Sequence, residues 1–204
     1  MEDLFPQKEG LDYSKLQTTD EGKYSITRRR DADRILNVFN LVLKSTETKT
    51  ITDVTACIGG DTLNFASCFA EVQSIELKQD NYEALKNNVK VYGYKNVNLY
   101  QGDCTQIYNW YTDVLYIDPP WGGKDYRDHK KLDLFLSTKR LDQWIEEILL
   151  RKNRPSYIIL KLPYNYNFNR LNFLSNTEYI KAYQIRSYIL IVITVHKPEK
   201  RIIA

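Results

Sequence analysis

Between Thr50 and Ile117 the chain alternates four short β-rich segments with stretches of helical periodicity. Each β-rich segment carries an acidic residue at or near its end: Asp53, Glu76, Asp103 and Asp118. Leu63, Ala66 and Ala70 mark one intervening helix. Tyr82, Leu85, Val89 and Tyr92 mark the next, with Asp80 placed to cap it. Strand and helix in alternation predict a parallel sheet, because parallel strands need a crossover, usually helical, between them. All the carboxyl ends then lie along one edge, where ligands bind in open α/β sheets. Four polar termini on one such edge are the strongest constraint in the sequence.

The fourth terminus is the most specific. Val114, Leu115, Tyr116 and Ile117 read as a buried strand that stops at Asp118-Pro119-Pro120-Trp121-Gly122-Gly123. Pro119 has no N–H to donate, and two prolines force an extended turn. The turn delivers a carboxylate, rigid carbonyls and an indole to the sheet edge. A flat ring with an exocyclic amine would find hydrogen-bond acceptors in Asp118 and the Pro119 carbonyl, and a stacking surface in Trp121. The structural alternative is a proline-stiffened strand end with a surface tryptophan.

The first strand, Thr50–Ala56, leads into Cys57-Ile58-Gly59-Gly60-Asp61-Thr62. A strand, a glycine-bearing turn and a helix bring backbone N–H groups close to a nucleotide. The turn is neither a full G-x-G-x-x-G nor a phosphate-binding loop with G-K-[ST]. Glu76 follows Asp53 by roughly 20 residues, the spacing at which a strand-end acid accepts ribose hydroxyls. Asp103, after the third strand at Asn96–Tyr100, could accept from an adenine amino group.

The rest of the chain frames this edge. Residues 1–23 are rich in acids and poor in regular apolar positions, and are expected to form a loosely structured or capping segment ahead of one domain over 24–204. Thr27 is placed to cap a helix with Ile35, Val38, Phe39 and Val42 on one face. Arg28–Arg30 read as a solvated helix end or a phosphate contact. The polar, basic stretch from Gly122 to Lys131 reads as a mobile flap or a solvated loop. Leu141, Ile145, Ile148 and Leu149 mark a further helix, Tyr157–Lys161 a fifth strand, and Tyr179–Gln184 with Ser187–Val195 an antiparallel hairpin that closes the sheet.

A net charge of +3 permits an anionic partner without requiring one. Three cysteines, Cys57, Cys68 and Cys104, lack metal-ligand spacing and are expected to be reduced thiols of an intracellular protein. With only His129 and His196 available, histidine-based metal or triad chemistry is poorly supplied. No metal site, membrane span or signal segment is expected.

The chain from Tyr24 onward resembles the trimethylguanosine synthases, the cap guanine-N2 methyltransferases. The resemblance rests on Ser25-Ile26-Thr27, on Asp53 with Gly59-Gly60-Asp61-Thr62, on Asn87-Asn88-Val89-Lys90-Val91-Tyr92-Gly93, and above all on Pro119-Pro120-Trp121-Gly122-Gly123-Lys124-Asp125-Tyr126. It implies a class I S-adenosylmethionine-dependent methyltransferase: an α/β, Rossmann-like fold with a seven-stranded, mostly parallel sheet ending in an antiparallel hairpin. Three positions depart from the family pattern. Asp118 stands where the family has Ser, Cys57 where it has the first glycine of the cofactor turn, and Leu162-Pro163-Tyr164 where it has Leu-Pro-Arg. A cation near the cap phosphates would then come from Lys161, Lys124 or Arg28. The long N-terminal extension of eukaryotic members is missing, so a minimal catalytic core is expected. The tyrosine- and lysine-rich composition suits an AT-rich genome such as a viral one.

The resemblance implies methyl transfer from S-adenosyl-L-methionine to the exocyclic N2 of a 7-methylguanosine RNA cap by a monomer. Thr27, Asp53, Thr55, Gly59, Glu76 and Asp103 would hold the cofactor. Trp121, Lys124, Tyr126 and Lys161 would hold the capped RNA, and Asp118, Pro119 and Trp121 would serve catalysis. A cationic 7-methylated ring stacked on Trp121 would gain roughly 0.5–2 kcal/mol from cation–π attraction. Two rivals stand beside this reading. One is an amino-methyltransferase acting on adenine N6 or guanine N2 inside a polynucleotide. The other is a non-catalytic cap-binding module.

Overall fold

The computed structural model describes residues 1–196, with only the backbone described at Lys124. Two helices lead, α1 (Asp20–Ser25) and α2 (Arg29–Leu43). Then come β1 (Thr50–Asp53), α3 (Gly60–Ala66), β2 (Glu71–Glu76), α4 (Gln79–Tyr92), β3 (Val97–Gln101), α5 (Cys104–Ile107) and β4 (Val114–Ile117). A small hairpin, β5 (Phe135–Leu136) with β6 (Lys139–Arg140), precedes α6 (Leu141–Leu149). The chain ends in β7 (Tyr157–Pro163), β8 (Thr177–Ile185) and β9 (Tyr188–Val195). The main sheet has the order β3-β2-β1-β4-β7-β9-β8. Its first five strands are mutually parallel, and β9 runs antiparallel to both β7 and β8. This is the seven-stranded, mostly parallel sheet with a terminal hairpin that the alternating pattern predicts.

Side chains alternate across each strand, so the two faces of the sheet build separate cores. Leu115, Ile117, Ile158 and Leu160 pack beneath Trp144, Ile145 and Ile148 of α6. Val114, Tyr116, Ile159, Leu190 and Val192 pack beneath Ile35 and Phe39 of α2 and Phe65 of α3. A third cluster joins the leading segment to α3 and α4, with Phe5 and Leu16 against Ile58, Leu63, Leu85 and Tyr92. Asn88 fastens this segment further, accepting from the Gln17 N–H at 2.8 Å and donating to the Gln17 carbonyl at 2.9 Å.

Several local expectations are corrected. Thr27 does not cap α2: the cap position belongs to Arg28, with no side-chain bond, because Thr27 is drawn into a buried polar network. Asp80 does not cap α4. It lies in the first turn behind Lys78, whose amide is satisfied by Glu76 at 2.8 Å. Ala70 is not inward-facing: α3 ends at Ala66, and Ala70 is an exposed connector whose N–H meets the Lys49 carbonyl. The first strand stops at Asp53, since Val54 to Ala56 already turn toward the glycine pair. The β5–β6 hairpin lacks a turn dipeptide, and Ser137 supplies its positive φ of 52° instead.

Candidate active site

The register of β4 and β7 sets the centre of the site. Ile117 pairs with Leu160, so the next residues, Asp118 and Lys161, emerge side by side at the carboxyl edge. They also continue the face of Tyr116 and Ile159, toward α2 and α3. The Lys161 ammonium lies 2.6 Å from an Asp118 carboxylate oxygen and donates to the Thr27 hydroxyl at 2.7 Å. Thr27 donates to Asp61 at 2.5 Å, and the Tyr116 hydroxyl donates to the same Asp61 oxygen at 3.0 Å. Thr55 accepts from the Asp118 N–H at 2.8 Å, fastening the end of β4 to the turn after β1.

The electrostatics follow from burial. Taking Asp118 out of water pushes its carboxyl up to about 6, although Lys161 pulls the other way. Burial disfavours the charged Lys161, but Asp118 and Asp61 outweigh it and hold the ammonium above the ordinary lysine value. At neutral pH the pair is therefore ionised on both sides. Burial and the neighbouring Asp61 push Asp53 up to about 8.

The glycine turn is tightly packed. Gly59 has φ +101°, and a Cβ there would meet Leu85 Cδ1 at 2.8 Å. A Cβ on Gly60 would meet the Thr27 carbonyl at 2.8 Å, so this glycine lets the Thr27 segment approach. Cys57 adopts φ +49°, the left-handed conformation that suits glycine. Burial, followed by Glu76, pushes its thiol up to about 12, so it is no nucleophile at neutral pH. Glu76 receives the Cys57 and Lys78 amides, each at 2.8 Å, one on each carboxylate oxygen. A carboxylate has about four acceptor sites, so Glu76 keeps capacity for hydroxyl groups. Each Asp53 oxygen likewise accepts one hydrogen bond, from the Thr55 N–H at 3.2 Å and the Thr62 hydroxyl at 2.7 Å, and these hold the turn after β1. Asp103 caps α5 through Thr105. Burial pushes its carboxyl up, but hydrogen bonds from Ser137 and Thr105 outweigh that and hold it below the usual carboxylate range.

Trp121 stands on the opposite side of Asp118 in sequence. Its ring centroid lies 5.2 Å from Tyr126 at 72° and 6.4 Å from Tyr188 at 59°. The Lys161 ammonium lies 5.8 Å from the Trp121 ring and 5.1 Å from the Tyr188 ring. Three buried polar atoms around this ammonium have no protein partner: Trp121 Nε1, the Tyr188 hydroxyl and one Asp61 oxygen. A buried polar group left without a partner costs about 1–3 kcal/mol, so such a group marks a place where a bound molecule would be rewarded. The stretch after Gly123 forms a 3-10 turn over Lys124–Asp128. Asn165 pins it, donating to the Tyr126 carbonyl at 2.6 Å and the His129 carbonyl at 2.8 Å.

The fold thus gathers Thr27, Thr55, Asp118, Trp121, Tyr126 and Lys161 at one end of the edge, and Gly59 with Glu76 at the other. Pro119 is buried between them in sequence. Asp103 lies one strand further out. The Lys124 side chain lies outside the described residues. Sequence reasoning missed Asp61, Tyr116, Tyr188 and Asn165 as members of the site. Tyr116 had a visible signal, since it sits two residues before Asp118 and shares its face. Tyr188 and Asn165 had none. Among the described residues no helix is long and apolar enough to cross a membrane, and no group of acidic, cysteine or histidine side chains gathers as metal ligands.

Comparison with known proteins adds chemistry to this geometry. The family described as RNA cap guanine-N2 methyltransferase matches residues 48–202. An uncharacterized protein of Acanthamoeba polyphaga mimivirus is 32% identical, covering 91% of this chain and 79% of that one. The trimethylguanosine synthase of Saccharomyces cerevisiae is 26% identical over 79% of this chain, which spans 53% of that protein's length. An RNA methyltransferase from Salinibacter ruber, solved with S-adenosyl-L-homocysteine, superimposes with a TM-score of 0.55 at 15% identity, over 87% of this chain and 98% of that one.

Proposed function

Because the chain belongs to the RNA cap guanine-N2 methyltransferase family and has the class I methyltransferase fold, we propose that it methylates the exocyclic N2 of a 7-methylguanosine cap on RNA, using S-adenosylmethionine. The observation that carries this reading is the ionised Asp118, braced by Lys161 beside a tryptophan with an unpartnered ring N–H.

The residues fit the cofactor. Glu76 keeps acceptor capacity for ribose hydroxyls, the Gly59-Gly60 turn lets backbone approach closely, and Asp103 offers a carboxylate near the third strand end. S-adenosylmethionine supplies, when bound, a methyl group activated by a neighbouring sulfonium. The chain's own work is to position the amine. Asp118 and the Pro119 carbonyl accept its hydrogens and aim its lone pair. Lys161 fixes the Asp118 carboxylate so that it is not reoriented by water, and Thr55 fixes the Asp118 backbone through its N–H. Asp118, whose carboxyl lies near 6, would take the proton that the amine must shed once its new N–C bond has replaced the methyl–sulfur bond and left a neutral thioether. Positioning supplies most of the acceleration. Trp121 stacks the ring, and a 7-methylated, cationic ring gains from its π face.

Methylation of an amino group inside a polynucleotide is the second reading. Asp118 in place of the family's serine favours it. Labelled methyl transfer decides between them, using a 7-methylguanosine cap analogue beside unmethylated GTP and an uncapped RNA pool. Label on the 7-methylated analogue alone supports the cap reading. Label on the uncapped pool alone overturns it.

A further inference from the structure

An anionic substrate needs a cation at the site, and several cations among the described residues already have partners. Lys161 is buried against Asp118 and Thr27. Arg140 pairs with Asp142, Arg170 with Asp133, and Arg34 with Asp31. Arg29 donates to Gln7. Arg127 leans on Tyr126.

The turn between β8 and β9 has a different character. Pro163, at the carboxyl end of β7, pairs with Tyr188, so the two-residue loop Arg186–Ser187 reaches the same edge as Asp118. Tyr188, the residue after the loop, is the buried ring that faces Trp121 and Lys161. Arg186 is exposed, has φ +46° and makes no ion pair among the described residues. Two-residue hairpin loops prefer glycine or asparagine where φ is positive. A large charged residue there costs backbone energy, and such outliers gather where a ligand is held. The loop is also braced: the Tyr164 hydroxyl donates to the Arg186 carbonyl at 2.5 Å. Across the site Arg28, directly after Thr27, is likewise exposed and without an acidic partner among the described residues.

We propose that Arg186, presented by the β8–β9 turn and braced by Tyr164, binds the phosphate bridge of the substrate, with Arg28 as a second cation. This rests on the cap reading, since a capped end carries a triphosphate directly beside the base that Trp121 would stack. Guanidinium groups suit phosphate because their N–H donors match two oxygens at once.

The test compares Kd for 7-methylguanosine and for 7-methylguanosine triphosphate, read by tryptophan fluorescence quenching, in the parent and in Arg186→Gly. Glycine suits the turn's φ, so the fold is retained; Arg186→Lys keeps the charge without the fork. The parent should bind the triphosphate at least tenfold tighter than the nucleoside. Arg186→Gly should reduce that ratio at least threefold, with Arg28 supplying what remains, and Arg186→Lys should leave an intermediate ratio. A ratio near one in the parent, or one unchanged in Arg186→Gly, would overturn the assignment. Methyl transfer measured on the same two ligands separates the readings. If neither is methylated while the binding ratio still depends on Arg186, the cap reaction fails and the anion site stands.

Discussion

Lys161 holds its ammonium 2.6 Å from Asp118, and each is the next residue beyond a paired position of two parallel strands. The ion pair is thus built by sheet register rather than by a loop. Both partners are mostly buried, so each is needed to make the other's charge tolerable.

Removing the cation while keeping the side chain's length tests this. In Lys161→Met the Asp118 carboxyl loses its main stabilising charge and should titrate well above 6. The acid limb of the kcat profile should move up by more than one pH unit, with activity at neutral pH reduced at least tenfold. An unshifted acid limb would make Lys161 a packing residue only.

Stability and activity should respond to pH in opposite directions. Asp118 and Asp53 are pushed up to about 6 and about 8 by burial, against roughly 3.9 in the unfolded chain. Folded protein therefore binds these protons more tightly than unfolded protein, and the stability they contribute is lost as pH rises from about 4 to about 8. Tm should be several degrees higher at pH 5.5 than at pH 8. On the proposed mechanism, methyl transfer requires ionised Asp118 and should instead fall about tenfold per pH unit below 6. Calorimetric scans and initial rates across that range give both curves.

The two ends of the edge should fail separately. Glu76→Ala should abolish S-adenosylhomocysteine binding in titration calorimetry and leave cap-analogue binding within about threefold. Trp121→Ala should do the reverse, weakening the cap analogue by several-fold to about thirtyfold, the range of a lost cation–π contact. Loss of both ligands in either variant would mean that the roles are misassigned.

Asn165 holds the 122–131 stretch through two backbone carbonyls, in Tyr126 and His129. Asn165→Ala should raise amide hydrogen exchange across that stretch at least tenfold while leaving β4 and β7 protected. KM for the cap should rise more than kcat falls, since the variant loosens Tyr126 against Trp121 without touching Asp118. Unchanged exchange would show that the stretch is held elsewhere.

Much of this was legible in the chain. Strand–helix alternation predicted the sheet, and Asp118-Pro119-Pro120-Trp121 marked the carboxyl end of β4, because both signals are local. What stayed hidden depends on which distant residues become neighbours. Thr27 looked like a helix cap because threonine before a helix usually is one. Only the fold shows that its hydroxyl lies between Lys161 and Asp61. Asp53 also holds its own turn through Thr55 and Thr62, partners that a strand-end position does not reveal. Lys161 looked like a free cation because its partner lies on a different strand.

The polar network joins Thr27, Asp61, Asp118 and Lys161, with Tyr188 from β9 alongside, so it draws on both ends of the sequence. During synthesis the Asp118-Pro119-Pro120-Trp121 stretch emerges well before Lys161 and Tyr188 do. A nascent chain can therefore fold its first strands without acquiring a braced carboxylate. The braced carboxylate arrives only when β7 docks beside β4 and brings Lys161 to Asp118.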